Sequence, residues 1–227
     1  MSGADITVVD LTRSFKSDQS VPVDVLKGIS FDLLAGESLA VTGPSGSGKS
    51  TLLQLIGAME YPDSGEIFIN GRDITGLNES ERSDFRNREI GFIFQSHYLL
   101  PQLSALDNVL VPTWNCSKDR EMYIERAYAL LKQVGLGDFT RRLPGQLSGG
   151  ERQRVAVARS LIMEPALILA DEPAGALDRN NTESLINLLL EIKTHGKASL
   201  VMVTHSDFCA AAMQRQIQIV DGVVACS

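Results

Sequence analysis

The chain has 227 residues, 44% hydrophobic and 22% charged, with a net charge of −7. That length holds one large domain or one domain with a small insert, and the composition is that of an ordinary globular protein. The acidic balance argues against sequence-independent nucleic-acid binding, and apolar runs such as 167–170 and 200–203 are far shorter than the roughly 20 residues of a membrane span.

Nothing near the start has the length and apolarity of a signal peptide, so the chain is expected to stay in the cytosol. Cys116, Cys209 and Cys226 stand at neither C-x-x-C nor metal-ligand spacing and are expected as reduced thiols. The first 35 residues predict antiparallel strands, one marked by Ile6, Val8 and Leu11 and another by Leu26, Ile29, Phe31 and Leu33. A turn is expected between them at Ser17-Asp-Gln-Ser20. Residues 38–42 predict a short buried strand and residues 50–56 a helix, with Gly43-Pro-Ser-Gly-Ser-Gly-Lys-Ser50 between them.

That run is the pattern of a phosphate-binding loop. Gly43, Pro44, Ser45, Gly46, Ser47 and Gly48 form the cradle, and Lys49, Ser50 and Thr51 start the helix. Backbone N–H groups and the helix dipole face the anion, Lys49 adds a point charge, and the Ser50 hydroxyl can ligate Mg²⁺. Next, residues 65–71 predict a strand closed by Asn70-Gly71, a hairpin signal. From about 77 to 145 a helical insert is expected between two halves of an α/β core, residues 1–76 and 146–227. Within it, residues 78–88 are so charged that a solvated helix with exposed arginines is expected. Ile124, Ala127, Leu130, Leu131 and Val134 recur at helical spacing, with Gly135 as a C-cap.

The core resumes with a helix after Gly150 and a buried strand at 166–170. A helix at about 182–194 follows, with Leu185, Ile186, Leu188, Leu189 and Ile192 on its apolar side. Then come a second buried strand at 199–204 and a hairpin at Asp221-Gly222. Gly43, Asp171 and His205 all fall at the carboxyl ends of apolar strands. Open parallel sheets bind ligands there, which predicts one shared site. Asp171-Glu172 is a Walker-B arrangement, in which Asp171 completes the Mg²⁺ site begun by Ser50 and Glu172 deprotonates an attacking water. In Leu147-Ser-Gly-Gly-Glu-Arg-Gln153, Gly149 and Gly150 allow close approach of backbone to phosphate, and Ser148 supplies a hydroxyl donor.

With that segment the chain resembles the ATPases of ABC transporters. It meets their order of P-loop, glutamine loop, signature, Walker B, D-loop and switch histidine over roughly residues 5–225. The resemblance implies an α/β fold: a P-loop NTPase core with a mainly parallel sheet, an N-terminal antiparallel β subdomain and the helical insert. It implies ATP and Mg²⁺ as cofactors and a head-to-tail homodimer, with two ATP molecules held between one chain's P-loop and the other's Ser148, Gly149 and Gly150. It also implies that Gln95, in Phe92-Ile-Phe-Gln-Ser96, reaches Mg²⁺ or water, that His205 contacts the γ-phosphate, and that Asp178 couples the two sites. Phe15 matches the aromatic that stacks on adenine, a core role being the alternative. Ala174 and Ala176 replace the Thr and Asn usual in relatives, which bears on coupling between the sites.

Phe94-Gln-Ser-His-Tyr-Leu-Leu-Pro101, Leu106-Asp-Asn-Val109 and residues 146–159 most resemble the lipoprotein-releasing and macrolide-export subgroup. That implies a separate membrane permease as partner, export or extraction as the task, and a place on the cytoplasmic face of the inner membrane. The alternative is a nucleotide-switched scaffold that regulates an envelope partner, as in the related cell-division ATPase. His97, Tyr98, Leu99, Leu100, Leu103 and Leu106 form an apolar stretch expected either to dock the membrane subunit or to pack inside the insert. His97 and His195 carry no expected site role.

Overall fold

The computed structural model describes residues 3–15, 22–116, 120–196 and 198–225. The turn expected at 17–20, and Cys226, lie outside them. The chain opens with β1 (Ile6–Phe15) and β2 (Val23–Leu33), then β3 (Ser38–Thr42), α1 (Lys49–Ile56), β4 (Ser64–Ile69) and β5 (Arg72–Asp73). Strands β2-β1-β4-β5 form an antiparallel sheet of four, the expected N-terminal β layer. Asn70 and Gly71, at φ 53° and 70°, join β4 to β5. Two consecutive positive φ values match the right-handed twist of the strands, which is why Asn-Gly marks such turns.

After α2 (Glu79–Glu89) come β6 (Ile90–Phe94), α3 (Ala105–Leu110), α4 (Arg120–Gln133), α5 (Gly149–Leu161) and β7 (Leu167–Asp171). The chain continues with α6 (Arg179–Gly196), β8 (Ser199–Val203), α7 (Asp207–Ala211), β9 (Arg215–Val220) and β10 (Val223–Ala225). The second sheet runs β10-β9-β3-β8-β7-β6 and is parallel except for the edge strand β10. β3, β7 and β8 are apolar apart from polar residues at their ends because both faces of the sheet are covered there. Leu39, Val41, Leu167, Leu169, Val201 and Val203 face a core shared with α1 and the four-stranded sheet. Ala40, Ile168, Ala170, Leu200 and Met202 face the other core, built by α3, α4, α5 and α6.

Two expectations need correction. The stretch 77–145 is not wholly a helical insert, since β6 pairs with β7 and belongs to the core sheet. Its residues read as an apolar strand before Gln95, but nothing local says which sheet that strand joins. The arginines of α2 are not all exposed either. Arg82 is 2% exposed, with its guanidinium 3.8 Å from the Tyr61 ring centroid and donating to the Glu60 carbonyl. α4 ends as expected at Gly135 (φ 78°), where the Leu136 N–H returns to the Leu131 carbonyl at 2.7 Å. The apolar stretch after Gln95 divides: Leu99 and Leu106 pack on the core, whereas Tyr98 and Leu100 are exposed.

Candidate active site

Strand register brings the polar residues together. Val41 and Asp171 both pair with Val203, and Phe94 pairs with Asp171. The residues that follow these strand ends, Gly43, Gln95, Glu172 and His205, therefore emerge along one edge of the sheet. The sequence reading placed Gly43, Asp171 and His205 there by apolar runs alone. Parallel pairing in this register turns that coincidence into a site.

The loop from β3 to α1 is shaped by close contacts that only glycine permits. Gly43 has φ 138°, and a Cβ on it would run into the Ile219 carbonyl. Gly48 has φ 101°, and a Cβ there would stand 2.6 Å from the Leu26 side chain. Lys49 is 5% exposed and donates from Nζ to the carbonyls of Gly43 and Pro44, at 3.0 and 2.8 Å. Burial draws its ammonium below the usual lysine range, and the charges of Glu172 and Asp171 pull the other way. Ser47 Oγ is buried with no hydrogen-bond partner.

Ser50 Oγ donates to Asp171 Oδ1 at 3.1 Å, joining the start of α1 to the end of β7. Burial raises the Asp171 carboxyl above its ordinary range, opposed by that hydrogen bond and by Lys49. Glu172 is likewise raised, again chiefly by burial, with His205 acting against the shift. Its backbone is left-handed at φ 45°, held by a 3.0 Å hydrogen bond from its N–H to the Val203 carbonyl. Such a conformation costs a non-glycine residue about 1–3 kcal/mol and collects at functional sites. Glu172 Oε1 is buried without a hydrogen bond, 3.6 Å from His205 Nε2.

A cavity of about 420 Å³ is lined by Phe15, Ser45, Gly46, Gly48, Lys49, Ser50, Thr51, Glu172 and His205, with Val25 and Val203. Phe15 is 41% exposed at its mouth, so the core alternative does not hold. An adjoining cavity of about 600 Å³ brings Gln95 to Glu172, Ala174, Gly175 and His205. Val25 and Val203 were not anticipated; an apolar strand residue carries no mark of lining a cavity. Ser148, Gly149 and Gly150 line neither space. Ser148 instead N-caps α5, accepting from the Glu151 N–H at 3.3 Å while Glu151 Oε2 accepts from the Ser148 N–H at 2.6 Å. Asp178 is exposed and accepts from the Asn181 N–H and Nδ2, at 2.9 and 2.7 Å, at the start of α6.

The donor set fits a nucleoside triphosphate with a hard divalent cation. A buried ammonium, a glycine loop and the unpartnered Glu172 Oε1 face one cavity, and beside them stand a hydroxyl and a carboxylate in contact. Among the described residues no three His, Cys, Asp or Glu side chains cluster to hold a metal by themselves. The Ser50 hydroxyl and the Asp171 carboxylate supply the one or two protein oxygens that Mg²⁺ takes beside water and phosphate ligands.

Residues 26–175 match the ABC transporter family. The lipoprotein-releasing system ATP-binding protein LolD 1 of Rhodopirellula baltica is 45% identical over 219 residues, covering 96% of this chain and 95% of its own. LolD of Aquifex aeolicus is 46% identical over 201 residues, 88% of this chain and 89% of its own. Among solved structures, the dimeric post-hydrolysis state of the ATP-binding cassette MJ0796 bound to ADP and Pi superposes with a TM-score of 0.89. That cassette is 36% identical, with 97% of each chain covered. The family match over residues 26–175, the relatives over nearly the whole chain and the fold agree, and the chain belongs to the ABC transporter family.

Proposed function

We propose that the chain is the ATP-binding and ATP-hydrolysing subunit of an ABC complex of the lipoprotein-releasing type, driving a separate membrane subunit in export or extraction. The observation that carries this is the shared sheet edge, where Lys49, the Ser50–Asp171 pair and the Glu172–His205 pair line one space. Loop N–H groups and Lys49 bind the phosphates, and Phe15 stacks on the base. Ser50 and Asp171, joined by Gln95, would hold Mg²⁺, which when bound would neutralise phosphate charge. Glu172, its proton affinity raised by burial, takes a proton from the attacking water. His205 contacts the γ-phosphate and steadies the Glu172 carboxylate.

Ser148, Gly149 and Gly150 lie outside the chain's own cavity and act on ATP held by a second copy, with Asp178 coupling the two sites. Residues 1–76 and the stretch after 146 carry nucleotide binding, and α3 and α4 form the helical part. Among the described residues no helix is long and apolar enough to cross a membrane. On this reading the chain is held at the cytoplasmic face of the inner membrane through its partner, for which Tyr98 and Leu100 offer exposed apolar surface.

Glu172→Gln should keep ATP binding and lower turnover about 10²–10⁴-fold. Lys49→Ala should weaken binding itself, because it removes a phosphate-directed charge. Steady-state hydrolysis and nucleotide titration separate the two. A Glu172→Gln protein with near wild-type turnover would defeat the assignment.

A further inference from the structure

Helix α5 grips the backbone on both sides of Gln95. Gln153, 1% exposed, donates from Nε2 to the Phe94 carbonyl at 3.4 Å. Arg159 donates from Nη1 to the Tyr98 carbonyl and from Nη2 to the His97 carbonyl, each at 2.6 Å. A planar guanidinium fork serves two adjacent carbonyls in a way that a lysine ammonium does not. Among the described residues no carboxylate is paired with Arg159, so these carbonyls are what its half-buried charge faces.

The segment held in this way is strained. His97 and Tyr98 are consecutive non-glycine residues at φ 58° and 46°, and the Tyr98 N–H closes a tight turn on the Ser96 carbonyl at 2.6 Å. Left-handed backbone in such residues persists only where its surroundings over-determine it. The surroundings here are the Arg159 fork and the edge-to-face contact of the Phe94 and Tyr98 rings, 5.2 Å between centroids. On the opposite side Gln95 lies across the loop that leaves Glu172: a Cβ on Gly175 would stand 2.8 Å from Gln95 Nε2. The helix that supplies Gln153 and Arg159 also begins at Gly149, capped by Ser148.

We propose that Gln153 and Arg159 are positioning residues for Gln95, and that α5 ties the reach of Gln95 to whatever engages its Ser148 end. α5 is one continuous helix of 13 residues, an element of the kind that shifts as a unit in switching transitions. A shift of its first turn therefore carries the carbonyls of Phe94, His97 and Tyr98 with it, and Gln95 between them. This rests on the reading of Gln95 and Ser148 given above.

The test is a double-mutant cycle on Mg-ATP hydrolysis by the whole chain, using Gln95→Ala, Arg159→Gln, Arg159→Lys, Gln153→Ala and the doubles with Gln95→Ala. Arg159→Gln should lower kcat about 10-fold, the size expected of a misplaced positioning contact, and change the KM for ATP less than about 2-fold. It should raise the Mg²⁺ concentration for half-maximal rate, and Arg159→Lys should restore part of kcat. On the Gln95→Ala background neither Arg159→Gln nor Gln153→Ala should lower kcat further. Gln153→Ala works from the other side of Gln95 and supplies the answer even where Arg159→Gln folds poorly. Additive losses with Gln95→Ala, or wild-type kcat and Mg²⁺ dependence in both α5 variants, would overturn the proposal. If Gln95→Ala itself leaves kcat and Mg²⁺ dependence unchanged, the reading of Gln95 fails first and takes this inference with it.

Discussion

Asp171 and Glu172 stand side by side, and burial raises the proton affinity of each. A carboxyl raised in the folded state binds its proton more tightly there than in the unfolded chain. The stability linked to that proton is present at low pH and lost as pH rises through the raised value. At neutral pH the ionised Asp171 therefore costs stability in the nucleotide-free chain. Asp171→Asn should raise the melting temperature near pH 7.5, and the gain should shrink as pH falls toward the ordinary aspartate range, about 4. Thermal melts across that range check it; a nucleotide-free Asp171→Asn chain that melts lower at pH 7.5 would contradict the account. The same substitution should impair hydrolysis, since it removes the charge that faces Mg²⁺. The site is thus assembled against local stability, as the left-handed Glu172 also indicates.

Among the elements, α2 is the one whose sequence misleads. Asn78 and Glu81 cap it reciprocally, at 3.1 and 2.9 Å, and its run of charge predicts a solvated face. Arg82 instead turns inward beneath Tyr61 and satisfies the Glu60 carbonyl. Arg82→Met should cost about 1–3 kcal/mol by leaving that carbonyl unpartnered. Arg88→Met, on the exposed side, should stay within about 0.5 kcal/mol. Urea midpoints of the two variants measure the contrast. Nothing in a helical pattern distinguishes Arg82 from Arg88, because the partner is a backbone carbonyl 22 residues away. By contrast β3, β7 and β8 were legible, since strands buried on both faces must be apolar between their ends. Both hairpins were legible because Asn-Gly and Asp-Gly carry their own backbone geometry. β6 was not placed in the core sheet, because its neighbour in that sheet comes more than 70 residues later. Gly43 and Lys49 were readable because loop chemistry is local, whereas Val25 and the fork of Arg159 are contacts across the fold.

At the scale of the whole molecule, the site is divided. P-loop, Glu172 and His205 share one cavity, and the Ser148 helix start lies apart from it. On the proposed reading, in which the Ser148 end acts on ATP held by a second copy, each site is completed in the isologous pairing of a two-fold dimer. Glu172→Gln should therefore sediment as a dimer with Mg-ATP and largely as a monomer without nucleotide. Ser148→Arg on the same background should remain monomeric. An unchanged mass in trapped Glu172→Gln would argue against completion by a second copy.

The place of β3 in its sheet has one more consequence, and it concerns time. β3 is the first strand of the six-stranded sheet to be made, yet its neighbours are β8 and β9, completed only at residues 203 and 220. The wall against which Gly43 packs is Ile219, almost the last residue described. Pairings of such long sequence separation form late, because the loop must close before the contact repays it. A chain still on the ribosome thus carries its complete glycine loop without the wall that shapes it. Any binding energy that depends on that wall becomes available to steady the fold only once Ile219 has been added.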